Sequence, residues 1–399
     1  MKLVDTAVIG GGPAGIAAAV IAARAGCKTV LLEKAPFIGG IPVKGYMTTL
    51  CGLYKSRPGS GLPEMLHDGF AREFAGLLTD LDGVDGPFRM GRSWVLPFCP
   101  ESFSAAARRL LEDQANLEVR CEARFCEAAV SGKRVAALTF TADGKKYRVQ
   151  PRTVVDASGD AVVCRAAGAR LLFPDNARQV PAITFPLYNV RINGISGFSA
   201  VRWHMMIRHG VDDGDLPPGA DYVDFLPSPD PGTLLVKLNL GALVKTDPQI
   251  PQQALVQKAN AIKAHLLGFF RRHFRGFENC NTPDESSPVL YREGVRGRGA
   301  YVLTSQDVLS GARFSDAAAR GCWPVEQWDK NGNFSADYPA GGQYYEIPGR
   351  CLQSAEIENL FMAGKCISAD SGAIASARVI GCCMATGEAA GKLAAQSFR

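Results

Sequence analysis

The segment TAVIGGGPAGIAAAVIAARAGCKTVLLEK, residues 6–34, constrains the fold more than any other part of the chain. A short apolar strand leads into Gly10, Gly12 and Gly15, which form the pattern G-x-G-x-x-G, and an alanine-rich helix follows. A second apolar strand then ends at Glu33, at the spacing where an acidic residue accepts hydrogen bonds from a ribose. This complete strand–turn–helix–strand–acid unit predicts a dinucleotide site on a parallel sheet.

Each glycine of the pattern has its own physical role. Gly10 permits the tight turn, Gly12 lets a pyrophosphate approach the backbone, and Gly15 allows the helix to pack closely on the strand. The N-terminus of the helix favours negative charge, because its first N–H groups are not bonded within the helix. A merely structural turn is the alternative interpretation of the same glycines.

Length and composition place the chain among ordinary globular proteins. It has 399 residues, 47% of them hydrophobic and 21% charged, which suits two domains or one large domain with an insertion. A net charge of +5 is well below that of a dedicated nucleic-acid-binding protein. We therefore expect no specific nucleic-acid partner and a weak preference for anionic ligands.

The twelve cysteines show no metal signature. The sequence contains no C-x-x-C pair and no paired histidine ligands, so we predict that the protein holds no metal. It enters a strand directly after Met1 without a signal peptide, and reduced thiols in the cytoplasm are the default expectation. The longest apolar stretch, Ala14–Ala23, is too short to span a bilayer, so we expect no transmembrane segment.

The residue pattern changes along the rest of the chain. Residues 117–149 contain three alternating runs separated by the turns SGK and DGK, which predicts a small antiparallel meander. Residues 176–345 have a different texture, with frequent proline and aromatic residues. The chain closes with a strand at 359–363, a glycine-rich loop and a long helix of small residues that begins near Ser376.

Together these segments resemble the family of FAD-dependent oxidoreductases related to the succinate dehydrogenase and fumarate reductase flavoproteins. Four motifs carry the resemblance over nearly the whole chain: VIGGGPAG with LLEK, VVDASGD at 154–160, REGVRGRGAYVLTSQDV at 292–308, and the closing IPGRCLQSAEIENLFMAGKCISAD with SARV and ATGEAAG. The third motif departs from the family pattern Arg-Glu-Thr-Arg-Arg, since Val295 stands in place of the first arginine of the pair and Arg296 matches the second.

The resemblance implies non-covalent FAD and a two-part α/β architecture. One part is a Rossmann-like FAD-binding domain with a parallel sheet and a small antiparallel meander, and the other is an inserted α+β substrate or cap domain. Residues 1–45, 100–175 and 345–399 are expected to form the discontinuous FAD-binding domain. Residues 46–99 and 176–344 are expected to form the cap.

The resemblance also assigns residues to the cofactor. It implies that the glycine turn holds the pyrophosphate, Glu33 the adenosine ribose and the backbone of Phe125 the adenine. Gly364 approaches the ribityl chain, and the N-terminus of the final helix points at the flavin pyrimidine ring. The predicted cofactor-binding residues are Gly10, Gly12, Pro13, Ala14, Gly15, Glu33, Lys34, Gly39, Gly40, Phe125, Ala157, Ser158, Gly159, Gly364, Lys365, Ala375 and Ser376.

Three arginines lie in the segment LYREGVRGRGAY, residues 290–301. Guanidinium groups are costly to bury without partners, and the apolar flanks of this segment are typical of buried chain. We predict that Arg292 and Arg296 hold a substrate carboxylate or polarise a carbonyl beside the flavin. A structural brace between Arg292 and Glu293 or Asp307 is the alternative.

The predicted function is FAD-dependent hydride transfer between the flavin and a small organic substrate with a carboxylate or carbonyl group, with Tyr345 as a further catalytic candidate. One alternative is a flavin-dependent monooxygenase that acts through a peroxyflavin. Another is an FAD-containing RNA- or protein-binding factor that uses the basic aromatic segment FFRRHFRGF, residues 269–277. The expected partners are a small-molecule substrate and either a second copy of the chain or an electron-acceptor protein.

Overall fold

The computed structural model describes residues 2–56, 62–82, 86–174, 179–192, 197–228, 230–247, 250–284, 288–328, 334–342 and 344–397. Its strands are β1 (Lys2–Ile9), β2 (Thr29–Leu32), β3 (Thr49–Leu50), β4 (Phe88–Met90), β5 (Ser93–Pro97), β6 (Leu117–Arg120), β7 (Arg124–Ser131), β8 (Arg134–Ala142), β9 (Lys145–Asp156), β10 (Leu171–Leu172), β11 (Ala182–Leu187), β12 (Val223–Pro227), β13 (Leu234–Asn239), β14 (Arg296–Gly297), β15 (Ala317–Gly321), β16 (Val325–Trp328), β17 (Phe334–Asp337), β18 (Tyr345–Pro348) and β19 (Leu360–Met362).

Its α-helices are α1 (Pro13–Arg24), α2 (Ile41–Lys44), α3 (Phe70–Asp82), α4 (Pro100–Glu112), α5 (Val162–Ala166), α6 (Gly197–Asp212), α7 (Gly241–Thr246), α8 (Gln252–His273), α9 (Ser305–Ser310), α10 (Ser371–Ala377) and α11 (Ile380–Gln396). Single 3-10 turns span Ala340–Gly342, Gly349–Cys351 and Gly364–Cys366. Within the described residues, every helix is too short or too polar to cross a lipid bilayer.

Among the described residues, a seven-stranded sheet unites strands from both ends of the chain. The strands β6, β2, β1 and β9 are parallel neighbours in that order, and β19 runs parallel to the C-terminal end of β9. The strand β8 pairs antiparallel with the N-terminal end of β9, and β7 pairs with β8. The predicted α/β class, with a parallel sheet and an antiparallel meander, is therefore confirmed.

The side chain of Asn359 closes the sheet at the point where β9 changes neighbour from β8 to β19. Its amide nitrogen donates to the carbonyls of Val135 (3.0 Å) and Arg152 (2.9 Å), and its amide oxygen accepts from the Val135 N–H (2.8 Å). Buried peptide groups at such a junction would otherwise lose hydrogen bonds. One buried asparagine therefore replaces the missing ladder contacts.

The first and last helices pack directly against each other through small residues. A Cβ added at Gly387 would lie 2.1 Å from the Ala14 carbonyl oxygen, and one added at Gly391 would lie 2.6 Å from that of Ala18. Only glycine permits the backbones of α1 and α11 to approach this closely. The contact brings both ends of the chain to the glycine turn, as a discontinuous cofactor domain requires, while the predicted domain boundaries stay a prediction.

A second antiparallel sheet, in the order β11, β13, β12, carries the helices α6 and α8. The aromatic residues of the segment FFRRHFRGF mostly lie inside this core, since Phe269, Phe270, Phe274 and Phe277 are all buried. Trp203 of α6 stacks on Phe274 with ring centroids 5.7 Å apart. The aromatic part of that segment therefore stabilises this second sheet and is turned away from solvent.

The long C-terminal helix predicted from Ser376 is divided in two. Ser376 lies in the last turn of α10, and α11 begins only at Ile380, because Val379 has an extended backbone (φ −68°, ψ 157°) that interrupts the helix. The carboxylate of Asp370 caps α10 by accepting a hydrogen bond from the Ala373 N–H (2.6 Å). The N-terminus of α11, by contrast, has no side-chain cap.

Candidate cofactor and substrate site

The glycine turn between β1 and α1 has the geometry that its sequence predicts. Gly10 has φ +105°, a backbone conformation that disfavours side chains, and a Cβ there would lie 2.5 Å from the Ala157 carbonyl oxygen. A Cβ at Gly15 would lie only 1.7 Å from the Gly10 carbonyl oxygen, whereas a Cβ at Gly12 would meet no atom within 4 Å. Gly10 and Gly15 are thus required by packing, and Gly12 faces open space.

The helix that follows this open space is suited to a negatively charged group. Its N-cap is Gly12, which contributes no side-chain hydrogen bond, and its first turn contains no acidic residue. The first N–H groups of an α-helix have no partner within the helix and carry partial positive charge. The space next to Gly12 therefore fits the pyrophosphate of the cofactor that the sequence resemblance implies.

Glu33 lies where the fingerprint predicts its acid. The residue is 7% exposed, and its carboxylate accepts hydrogen bonds from the N–H groups of Gly11 (2.6 Å) and Ala35 (2.7 Å). These two contacts fix the carboxylate beside the glycine turn, and a carboxylate has further lone pairs for ribose hydroxyl groups. Contact of Glu33 with the ribose stays a prediction.

We expect Glu33→Ala to weaken FAD binding by about 1–3 kcal/mol, because it leaves buried N–H groups and ribose hydroxyls without their acceptor. Glu33→Gln is the matched control, since its amide oxygen retains one acceptor and it should lose less affinity. Titration of flavin-free protein with FAD, followed by quenching of flavin fluorescence, measures both constants. Equal affinity of Glu33→Ala and the unchanged protein would contradict the assignment.

The second pair of predicted glycines lies against the first turn. The N–H of Gly39 donates to the Gly11 carbonyl oxygen (2.9 Å), and a Cβ at Gly40 would lie 3.0 Å from Gly12 Cα. Both residues have positive φ, 122° and 62°. The Gly39–Gly40 loop therefore borders the same open space as Gly12.

The loop after β9 crosses the turn from the other side. Asp156 is fully buried and accepts hydrogen bonds from the N–H groups of Val163 (2.8 Å) and Cys164 (3.1 Å) at the start of α5. Ser158 donates its hydroxyl to the same carboxylate (2.6 Å), and the N–H of Gly159 donates to the Cys366 sulfur (3.1 Å). The VVDASGD motif is thus an internally bonded loop whose backbone passes directly beside Gly10.

The segment after β19 connects the turn to the predicted substrate side. Gly364 has φ +60°, and its N–H donates to the Thr386 hydroxyl (3.1 Å), while a Cβ there would lie 2.9 Å from Ala14 Cβ. The ammonium group of Lys365 donates to the Tyr291 carbonyl oxygen (3.1 Å), and burial lowers the pKa of Lys365. Lys365 therefore joins the cofactor segment to the residue that precedes Arg292.

Other predicted residues lie deeper in the protein or on its strands. Tyr345 and Ser376 are fully buried, and their hydroxyl oxygens lie 2.8 Å apart in a hydrogen bond. Ala375 is also fully buried, while Phe125 on β7 packs against the core beneath the sheet. A cofactor contact for these residues, and a catalytic role for Tyr345, stay predictions.

Arg296 is 1% exposed and lies on β14, which pairs with β10. Its guanidinium donates to the carbonyl oxygens of Gly294 (3.1 Å) and Phe173 (3.0 Å), and it lies 4.0 Å from the carboxylate of Glu293. It also donates to the Ser371 hydroxyl (3.5 Å), so it ties three chain segments together, which is the geometry of a structural brace. Asp307, by contrast, caps α9 and receives the Tyr301 hydroxyl, so it is not the partner of Arg292.

Arg292 lies in a different environment from Arg296. Its guanidinium donates to the Val180 carbonyl oxygen and to the Asn239 side-chain oxygen (3.2 Å), and it lies 5.4 Å from the centre of the Trp328 ring. Burial, followed by the positive charge of Arg378, lowers the pKa of Arg292 to about 9. The guanidinium remains charged at neutral pH although both of these hydrogen bonds go to neutral oxygens.

The structure adds charged residues that the sequence analysis did not select. Lys237 on β13 lies 4.6 Å from the centre of the same Trp328 ring, and the Arg378 guanidinium lies 3.8 Å from the carboxylate of Glu326. We call Lys237, Arg292, Glu326, Trp328 and Arg378 the cap cluster. In the sequence, this cluster is indicated by Lys237, the single lysine inside the apolar run TLLVKLNL.

In the part of the chain that the structure describes, no group of three or more histidine, cysteine, aspartate or glutamate side chains lies close enough together to hold a metal ion. Burial raises the pKa of several thiols, among them those of Cys51 and Cys322, each to about 12. Such thiols stay protonated and are poor nucleophiles.

Comparison with known proteins adds a family match. A family model described as FAD dependent oxidoreductase matches residues 5–399. No curated protein matches the chain. The solved structure of a triple mutant of the flavin-dependent brominase Bmp2 is similar at a TM-score of 0.50 and 14% identity, over 98% of this chain and 80% of the brominase.

A second solved structure, a geranylgeranyl bacteriochlorophyll reductase-like protein from Thermoplasma acidophilum, matches at a TM-score of 0.49 and 14% identity. The alignment covers 100% of this chain and 79% of that protein. At such identities a structural likeness concerns the fold, whereas function depends on the residues of the site.

Proposed function

We propose a function from one premise: the chain belongs to the family of FAD-dependent oxidoreductases. The protein is therefore an enzyme and a flavoprotein. The reaction that its site supports best is hydride transfer between FAD and a small organic substrate that carries a carboxylate or carbonyl group. Reoxidation by a carrier protein or by oxygen completes the proposed cycle.

The residues around the glycine turn fit FAD. The open space next to Gly12, the uncapped start of α1 and the carboxylate of Glu33 suit the pyrophosphate and a ribose of one dinucleotide. The Gly39–Gly40 loop and Gly364 bring backbone rather than side chains to the same space. When bound, FAD supplies the two-electron acceptor, and the protein supplies binding, orientation and electrostatics.

One observation carries the substrate proposal. The Arg292 guanidinium keeps its charge in a largely buried place, and its two hydrogen bonds go to neutral oxygens. A buried cation gains most from an anionic partner with matching geometry, and a guanidinium matches a carboxylate with two parallel hydrogen bonds. We infer that Arg292 binds and orients the substrate carboxylate or carbonyl, while Trp328 excludes water from one side of it.

Within the family, we propose kinship with the branch that contains the succinate dehydrogenase and fumarate reductase flavoproteins. The support is the motif REGVRGRGAY, which matches that branch except at Val295. The side chain of Val295 packs against the core beneath the sheet. Because this chain has valine where the branch has arginine, the segment carries one cation fewer, so we expect a substrate different from that of the branch.

Arg292→Lys tests the substrate proposal. We expect the variant to bind FAD normally but to reduce it about 100-fold more slowly, because a point charge replaces a planar fork. The measurement is anaerobic flavin reduction by a panel of hydroxy acids, amino acids and saturated dicarboxylates, followed by absorbance. Arg298→Lys, an exposed change in the same segment, is the matched control.

Two outcomes would count against the proposal. If no member of the panel reduces the flavin of the unchanged protein, hydride transfer from this substrate class is wrong. If Arg292→Lys and Arg298→Lys reduce at the same rate, Arg292 does not contact the substrate. Substrate-dependent oxygen consumption with incorporation of oxygen into the product would favour the alternative, a flavin-dependent monooxygenase.

A further inference from the structure

Lys237 is an unusual residue in the sheet formed by β11, β13 and β12. The strand β13 reads LLVKLN, and all of its residues except Lys237 are buried. The side chain of Lys237 is 23% exposed, and its ammonium nitrogen lies 4.6 Å from the centre of the Trp328 ring. Burying a lysine in an apolar strand costs free energy, which indicates that Lys237 has a functional role.

The ion pair of Lys237 is too loose to explain that position. Its nitrogen lies 3.9 Å from a carboxylate oxygen of Asp224, the facing residue on β12, and the Asn239 amide donates to the same oxygen (3.3 Å). The Asp224 side chain is 38% exposed. Pairs of this kind contribute little to stability in water. Asp224 therefore balances the lysine charge only partly.

The charged groups that face Lys237 come from four separate chain segments. Asp224 on β12 and Glu326 on β16 are acidic, while Arg292 before β14 and Arg378 after α10 are basic. Burial, followed by the charge of Arg292, lowers the pKa of Lys237 from 10.5 to about 8. A lysine in this environment exists in both protonation states near neutral pH, which suits proton exchange.

The position of Lys237 relative to the predicted substrate anchor is the geometric argument. The Lys237 nitrogen and the Arg292 guanidinium lie 4.6 Å and 5.4 Å from the centre of one indole ring, so they are at most about 10 Å apart. A small bifunctional molecule spans such a distance. Arg292 in turn follows Tyr291, whose carbonyl accepts from Lys365 beside Gly364. Arg292 therefore adjoins the cofactor segment, and Lys237 lies within about 10 Å of Arg292.

We propose that Lys237 is the proton acceptor of the reaction, and this rests on the proposed function. The substrate is a hydroxy or amino acid whose carboxylate binds Arg292. Its C–H bond breaks, and the electron pair leaves as hydride to FAD. Its O–H or N–H bond breaks as well, and the electron pair of that O–H or N–H bond forms the C=O or C=N double bond. The proton passes to the neutral amine of Lys237, which becomes an ammonium group.

A purely structural lysine makes different predictions from a proton acceptor. If Lys237 only holds Trp328 by a cation–π contact, Lys237→Arg keeps that contact and should leave the enzyme unchanged. An arginine stays protonated at every accessible pH, so it cannot accept the proton. Lys263→Met is the matched control, since Lys263 is also a buried cap lysine and lies 5.7 Å from the Phe185 ring.

The first test does not depend on activity. Flavin-bound protein is treated briefly with acetic anhydride over a range of pH, and peptide mass spectrometry gives the reactivity of each lysine. We expect Lys237 to reach half of its full reactivity at about pH 8, because only the neutral amine reacts. Half-reactivity near 10.5, the ordinary value for lysine, would overturn the proposal. Absence of labelling at any pH would also overturn it, because a substrate must reach this nitrogen.

The second test measures anaerobic flavin reduction against pH by hydroxy and amino acids. In the unchanged protein and in Lys263→Met, the rate should rise with pH through about 8, as Lys237 loses its proton. Lys237→Arg and Lys237→Met should bind FAD, reduce it about 100-fold more slowly and lose this rise. An unchanged rate and pH profile in Lys237→Arg would refute the role of Lys237. Failure of every substrate with the unchanged protein would instead refute the proposed function.

Discussion

Gly12→Ala and Gly15→Ala should separate cofactor binding from folding, although the two residues lie three positions apart in one turn. The Gly12 backbone (φ −80°, ψ −177°) accepts any residue, and an added Cβ meets nothing within 4 Å. We expect Gly12→Ala to leave the stability of the flavin-free protein equal or about 0.4–1 kcal/mol higher. Its methyl group stands in the space for the pyrophosphate, so FAD binding should weaken by about 3 kcal/mol, or about 100-fold.

Gly15→Ala should reduce the stability of the fold and also abolish FAD binding. Its Cβ would lie 1.7 Å from the Gly10 carbonyl oxygen, so α1 must move away from β1 before the side chain fits. We expect the free energy of unfolding to fall by about 3 kcal/mol and FAD binding to be lost. Urea unfolding of the flavin-free proteins and titration with FAD measure the two quantities. If Gly12→Ala binds FAD as tightly as the unchanged protein, the pyrophosphate does not lie next to Gly12.

Arg296 should prove more important for stability than for the reaction rate. Its guanidinium is buried and donates to the carbonyl oxygens of Gly294 and Phe173, and Glu293 is buried beside it. We expect Arg296→Met to lower the free energy of unfolding by about 3–5 kcal/mol, since it removes a buried cation that lies 4.0 Å from the buried carboxylate of Glu293. Arg296→Lys keeps the charge but loses the fork, and should cost about 1–2 kcal/mol.

Urea unfolding gives the stabilities, and the rate of flavin reduction per bound FAD gives the catalytic effect. We expect that rate to stay within about twofold in Arg296→Lys, because a brace acts on folding and not on the transition state. Arg298→Met, which changes an exposed residue of the same segment, should alter stability by less than about 0.5 kcal/mol. A fall in the rate of about 100-fold with unchanged stability would show instead that Arg296 contacts the substrate, the other role that its motif predicts.

The cofactor side of the molecule could be predicted from the sequence because its geometry is local. The turn at Gly10–Gly15, the helix after it and the acid at Glu33 lie in one continuous stretch, and steric limits on each residue act within that stretch. The family match over residues 5–399 and the observed parallel sheet agree with this prediction. The division of the C-terminal helix was not predicted, because nothing in the run SARVIG except its β-branched residues indicates an extended backbone at Val379.

The sequence by itself predicted the α/β class and the glycine turn, since the strand–turn–helix–strand pattern lies in one continuous stretch, and its resemblance to a flavoprotein family predicted the use of FAD. Only the tertiary structure decided how the arginines of one motif differ. Arg296 donates to the backbone carbonyls of Gly294 and Phe173, whereas Arg292 contacts the ring of Trp328, which Lys237 approaches from another strand. Burial and charge at such a cluster depend on which distant segments pack together, and no single segment contains that information.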